Sequence, residues 1–143
     1  MRFWTLISVV GLMIAGCAQK EPQKIQACEG SQVKGCLPVI YFLPDSYEIS
    51  PFGKERLDWS AQKMERWPKK KALITAHAYE WGGAEYNKDL SLQRAKAIGL
   101  YFVQKGIEPD RVQINAMGDT EPVCVKQECQ NLNRRAVVEI YDP

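Results

Sequence analysis

The sequence predicts a two-layer α/β sandwich, with helices covering one face of a mixed sheet. Three observations carry that expectation. Short β-branched and aromatic runs recur at four places, two long stretches with helical spacing separate the first three runs, and Gly, Pro, Asn and Asp punctuate the boundaries. Composition agrees, since 45% of the 143 residues are hydrophobic and 25% charged, which excludes a disordered, collagenous or polytopic membrane chain. One domain is expected at this length. With 19 basic against 17 acidic side chains the net charge is +2, so nothing in the composition argues for a nucleic-acid partner.

Taken in order, Val39-Ile40-Tyr41-Phe42-Leu43 reads as a buried strand, stopped by Pro44-Asp45-Ser46. Ser50 and Pro51 form an N-cap and N1 pair for a helix over 51–66, which buries Leu57, Ala61 and Met64 and is ended by Pro68. Lys69-Lys70-Lys71 is most simply a solvated connection, with a basic contact patch as the alternative, and leads into a second strand over 72–78. Gly82-Gly83 marks a loop, and a long helix over 84–105 ends at Gly106, an expected left-handed C-cap with Pro109 beyond. Residues 111–117 alternate with period two, placing Val112, Ile114 and Ala116 on one face of a third strand that ends at Gly118-Asp119. A cysteine-bearing loop then leads to the closing strand, Arg135 to Tyr141.

Ahead of this domain, Arg2 is followed by an apolar run to Ala15 and then the small residue Gly16, the pattern of a secretory signal over 1–16. It is short of the roughly 20 apolar residues a membrane-crossing helix needs. Ile14-Ala15-Gly16-Cys17 resembles a bacterial lipobox, which implies that Cys17 is lipidated and becomes the acylated N-terminus. Three acyl chains exceed the two signals that make membrane attachment stable. Ala18, where an aspartate would favour inner-membrane retention, points to the outer membrane with the domain in the periplasm. Residues 17–37 then serve as a tether that reaches at most roughly 75 Å when fully extended, and residues 38–143 form the domain. The four other cysteines fall into two local pairs, Cys28 with Cys36 and Cys124 with Cys129, read as short-loop disulfides in an oxidising compartment. A four-thiolate zinc site is the competing reading, though neither pair has the usual spacing for structural zinc.

His77-Ala78, Glu85-Tyr86-Asn87, Leu90-Ser91, Arg94-Ala95, Lys105-Gly106-Ile107 and Asn133-Arg134-Arg135 occur in one order, ungapped from His77 to Arg94. With these residues the stretch from about Ile40 to Ile140 resembles the OmpA-like C-terminal domain family, most of all its peptidoglycan-associated lipoproteins. The resemblance implies a non-enzymatic module that binds the diaminopimelate-containing stem peptide of peptidoglycan beside the long helix, with no cofactor. By matching position, Arg94 is the arginine that pairs with a diaminopimelate carboxylate, Asn87 and Leu90 line the pocket, and Asp45 is the acidic residue of the first turn. A zwitterionic side chain needs a guanidinium fork for one end and a carboxylate for the other.

The residues also qualify that picture. Arg94 has Leu90 and Ile98 as its i−4 and i+4 neighbours, so it is either a half-buried site residue or an arginine whose stem covers apolar surface while its head stays in water. The family pattern places an aspartate two residues after the histidine, and this chain has Tyr79 there. Glu80 is the substitute carboxylate, but adjacent side chains of an extended segment face opposite ways, so it would need a bulge or turn. Tyr79 and Trp81 could instead form a protein contact. His77 has no second ligand or catalytic partner at a useful spacing and is expected to hold a structural hydrogen bond. With no nucleophile and base pair, no supported carboxylate pair and no phosphate loop, enzyme chemistry is not expected. The two functional readings are a wall-binding tether and a structural subunit of an envelope-spanning assembly, such as a secretion-system outer-membrane core, that has lost wall binding.

Overall fold

The computed structural model describes residues 38–80 and 82–143. The signal segment, Cys17, the tether, Cys28, Cys36 and Trp81 lie outside the described residues. The elements are β1 (Val39–Tyr41), α1 (Pro51–Arg66), β2 (Lys71–His77), α2 (Gly83–Gln104), β3 (Val112–Gly118) and β4 (Arg135–Tyr141), with 3-10 turns at Pro109–Arg111 and Gln127–Asn133. The four strands form one sheet in the order β1-β4-β2-β3. β4 is antiparallel to both neighbours, while β2 and β3 are parallel, so the sheet is mixed as expected.

α1 occupies the bounds that its local signals set. Ser50 is extended, and its Oγ accepts a hydrogen bond from the Gly53 amide at 3.1 Å, filling one of the donors that a helix start leaves open. Leu57, Ala61 and Met64 point inward and are buried. Replacing Ser50 with alanine is expected to cost about 1 kcal/mol, a fall of several degrees in the thermal midpoint. Glycine at the same position should recover most of it.

α2 ends at Gly106, whose φ of 87° is the left-handed conformation expected there. The core between helices and sheet is built from Ile40, Leu57, Ile74, Ile98, Phe102 and Val138, all of them fully buried. Where α2 crosses β3 the approach is close: a Cβ on Gly99 would lie 3.7 Å from Val112. A Cβ on Gly118 would lie 3.2 Å from the Lys88 amide nitrogen, and Gly118 also has a φ of 57°. Ser91 locks this crossing, accepting from the Gly118 amide at 2.9 Å and donating to the Lys88 carbonyl at 2.8 Å.

Two expectations shift. β1 leaves the ladder at Tyr41, although the Phe42 amide still reaches the Arg134 carbonyl at 2.9 Å; Pro44, two residues on, has no N–H to extend it. On β3, Val112 and Ala116 are half-buried, but Ile114 is 41% exposed. β3 is an edge strand, so its inner face is only partly covered.

Cys124 and Cys129 are joined as a disulfide with their Cα atoms 5.8 Å apart. That pairing removes two of the four thiolates the zinc reading required. Among the described residues no cluster of three or more His, Cys, Asp or Glu could hold a metal, and no helix is long and apolar enough to cross a membrane.

Candidate functional site

At the end of the sheet where β1 and β2 stop, three segments converge on the inward face of α2: the turn after β1, the loop after β2, and residues 133–135 at the start of β4. Arg94, in the middle of α2, is the common partner of the first two, and the third joins through Arg134 beside Glu80. Its Nε donates to the Ser46 carbonyl at 2.8 Å, Nη1 to the His77 carbonyl at 3.0 Å, and Nη2 to the Leu43 carbonyl at 3.2 Å and to Glu80 Oε1 at 3.3 Å. The Phe42 ring lies 5.1 Å from the guanidinium carbon. Arg94 is 0% exposed. The reading in which its head stays in water is therefore corrected, and so is half-burial: the turn after β1 and the end of β2 with its loop close over the guanidinium. Burial lowers its pKa from the ordinary value and the Glu80 carboxylate opposes that shift, so it stays protonated.

Glu80 is on the Arg94 side of the loop, with its side chain 7% exposed and Oε1 also 4.0 Å from Arg134 Nε. The strand ends at His77, so alternation no longer governs residue 80. Asn87 imposes the new direction. Its Oδ1 accepts from the Glu80 amide at 2.8 Å, and its Nδ2 donates to the Glu80 carbonyl at 3.1 Å and to Asp119 at 3.2 Å. Asn87 is 1% exposed and thus acts as a backbone clamp.

Asp45 stands exposed at the tip of the β1–α1 turn, with φ 49°. It accepts a hydrogen bond from the Tyr86 hydroxyl at 2.9 Å, which holds that phenol above its ordinary pKa. Leu90 is buried one turn before Arg94, and Tyr79 is half-buried. The structure thus brings Asp45, Glu80, Asn87, Leu90 and Arg94 into one region.

Two residues that sequence reasoning gave no role also belong to it. Arg134 donates from Nε to the Phe42 carbonyl at 3.3 Å and keeps 18% of its side chain exposed beside Glu80, making it the cation at the surface of the cluster. Asp119 steadies Asn87. The Asn133-Arg134-Arg135 run was the available signal for Arg134. Asn133 supports the run from below, its Oδ1 accepting from the amides of Val123 and Cys124 at 2.8 and 3.0 Å.

The His77 ring does not join this cluster. Its backbone carbonyl serves Arg94, while its ring, 4% exposed, faces Arg135 with Nε2 3.4 Å from Nη2. Burial first, then the Arg135 charge, pushes the imidazole down to about 4, so it is neutral near pH 7.

A helix-covered mixed sheet whose strand ends carry an arginine–carboxylate cluster defines the class: a small α/β domain with a buried charged cluster at one end of its sheet. The chain belongs to the OmpA family, whose model matches residues 41–135. It is similar to the peptidoglycan-associated lipoprotein of Rhizobium meliloti (strain 1021), 33% identical over 144 aligned positions that cover 90% of this chain and 82% of that protein. The peptidoglycan-associated lipoprotein of Brucella melitensis is 32% identical over 143 positions, covering 90% and 85%. Among solved structures, the peptidoglycan-associated lipoprotein from Burkholderia pseudomallei superposes with a TM-score of 0.68 at 27% identity, over 72% of this chain and 89% of that one. The cell wall anchor of the T6SS from Pseudomonas aeruginosa shares the fold, with a TM-score of 0.60 at 23% identity over 73% and 80%.

Proposed function

We propose that this protein is an outer-membrane lipoprotein whose periplasmic domain binds peptidoglycan stem peptide non-covalently and tethers the membrane to the wall. The observation that carries the reading is the cluster of Arg94, Glu80 and Arg134, with Asp45 across the opening. A diaminopimelate side chain presents an amine and a carboxylate. Asp45 and Glu80 supply acceptors for the amine; Arg134, at the surface, and Arg94, beneath it, supply the positive field for the carboxylate. Asn87 holds Glu80 in place, and Leu90 provides an apolar wall. Glu80 thereby assumes the part of the aspartate that Tyr79 replaces. Attachment through Cys17 fixes the other end, and no catalytic step or cofactor is involved.

Co-sedimentation on diaminopimelate-type sacculi tests this, using the chain from residue 17 with Cys17→Ser. The parent should be retained saturably, and Glu80→Gln should bind roughly 10- to 150-fold more weakly, the effect of losing a charge-assisted hydrogen bond. Equal retention of parent and Glu80→Gln would sink the role given to Glu80.

A second reading is favoured by two observations: Tyr79 replaces the family aspartate, and Arg94 has no exposed surface while Glu80 covers it. In that reading the domain is a structural subunit of an envelope assembly held by protein contacts around Tyr79 and Trp81. A parent that ignores sacculi while Tyr79→Asp binds them would select it.

A further inference from the structure

Away from the groove, the segment from Pro51 to Lys71 concentrates positive charge, with seven basic and three acidic residues, although the rest of the sequence is net negative. The excess gathers at the C-terminal end of α1 and the connection into β2, where two tryptophans stand in solvent. Trp59 is 39% exposed and Trp67 43%. Each carries a cation over its ring, Lys63 Nζ at 5.5 Å from Trp59 and the Arg66 guanidinium at 6.0 Å from Trp67. Lys69 extends the patch.

The nearby acids leave this charge largely uncompensated. Asp142 pairs with Lys70 at 2.8 Å and Glu108 with Arg111 at 3.0 Å, and Glu65 is exposed on α1. Among the described residues no ion pair engages Lys63, Arg66 or Lys69. Exposed indole rings interleaved with lysine and arginine suit the boundary between water and a bilayer, where indole settles at headgroup depth and each cation meets lipid phosphate.

We propose that this patch, formed by Trp59, Lys63, Arg66, Trp67 and Lys69, docks on an anionic phospholipid surface. Two placements favour that occupant. The chain enters the fold alongside α1, where Arg56 Nη1 donates to the Val39 carbonyl at 3.1 Å. A tether of about 21 residues between β1 and a lipidated Cys17 therefore keeps this flank within roughly 75 Å of the bilayer. The patch also lies beside Lys71, whereas Arg94 bonds the His77 carbonyl at the far end of β2. Six strand steps, about 20 Å, separate the two, so a bilayer on the patch leaves the Arg94 cluster uncovered by lipid. The inference rests on the membrane-anchored part of the function proposed above and is independent of wall binding.

The experiment is flotation of the chain from residue 17 with Cys17→Ser, which removes the anchor, on vesicles of phosphatidylglycerol with phosphatidylethanolamine and on phosphatidylcholine vesicles. The parent should float with the anionic vesicles, lose that association at high salt, and stay largely free of the neutral ones. Each cation near an anionic surface contributes about fivefold, so Lys63→Gln, Arg66→Gln and Lys69→Gln together should weaken partitioning roughly a hundredfold. Trp59→Ser with Trp67→Ser should weaken it as well, and both variants should bind sacculi as the parent does. Because Trp59, Arg66, Trp67 and Lys69 are exposed and Lys63 is half-buried with no ion pair among the described residues, the fold should survive, and thermal melts check it. Brominated lipid supplies a readout on the intact patch: in Trp81→Phe the remaining tryptophans, Trp59 and Trp67, should be quenched. A parent that does not float with anionic vesicles, variants that float as well as it does, or unquenched tryptophans would each overturn the inference.

Discussion

Replacing Arg94 with alanine is expected to destabilise the domain by about 3 to 5 kcal/mol, the range for breaking a buried ion pair by removing one partner. The change strips donors from the Leu43, Ser46 and His77 carbonyls and leaves the Glu80 carboxylate, 7% exposed, with only Arg134 at 4.0 Å. At about 4 to 8 °C per kcal/mol for a domain of this size, the calorimetric midpoint should fall by at least about 12 °C. Lysine should be a poor replacement, because a single ammonium cannot span the Leu43, Ser46 and His77 carbonyls on two chain segments. The pair Arg94→Ala with Glu80→Ala should recover part of the loss, since it no longer buries an unpaired charge. A midpoint for Arg94→Ala within a degree or two of the parent would refute a structural role. The comparison also guards the sacculus experiment: lost retention by Arg94→Ala is interpretable only at a temperature where the variant is folded.

The second large effect is acid lability centred on His77, the one histidine of the sequence. Its imidazole titrates at about 4 in the fold against an ordinary 6.5. Between those values the unfolded chain takes up a proton that the folded chain refuses. Stability therefore rises with pH across that window and is lost as pH falls from 6.5 toward 4, by on the order of 3 kcal/mol in all. The Arg135 guanidinium beside the ring makes the charged form worse, and the Arg94 bond to the His77 carbonyl holds the backbone that carries the ring. Two carboxylates with depressed pKa values, Asp58 beside Lys105 and Tyr101, and Glu108 beside Arg111, contribute mainly below this window. Urea unfolding at about pH 7 and about pH 4.5 should show the difference, and His77→Asn should flatten it. An equally steep profile in His77→Asn would assign the acid sensitivity elsewhere.

The elements whose signals are local were legible. Ser50 and Pro51 open α1 and Pro68 stands just beyond its end at Arg66, Gly106 stops α2, and the closing strand runs from Arg135 to Tyr141 as expected. Reading weakened wherever distant segments decide. Periodicity along α2 gave Arg94 apolar neighbours, but the carbonyls that close over its head come from 17 to 51 residues away. Glu80 was a possible substitute carboxylate, and the objection from alternating faces held only while the strand continued. A strand ending at His77 and an asparagine clamp seven residues further on removed that objection. Alternation put Ile114 on the face of β3 that meets α2 at Gly99, but strand order, which no local pattern encodes, placed β3 on an edge and left Ile114 41% exposed.

The placement of Phe42 against Arg134 has a consequence for how the protein matures. Their two reciprocal hydrogen bonds close a loop of 92 residues, and they frame the cluster around Arg94. Such a closure is entropically costly and slow compared with helix formation. α2 can reach helical geometry early, but the cluster around Arg94 is framed only once the final strand has docked beside the first. A chain truncated before Arg134, or caught part-way through folding, carries Arg94 and Asn87 without that frame. Assembly of the cluster is thus withheld from incompletely folded copies by topology alone.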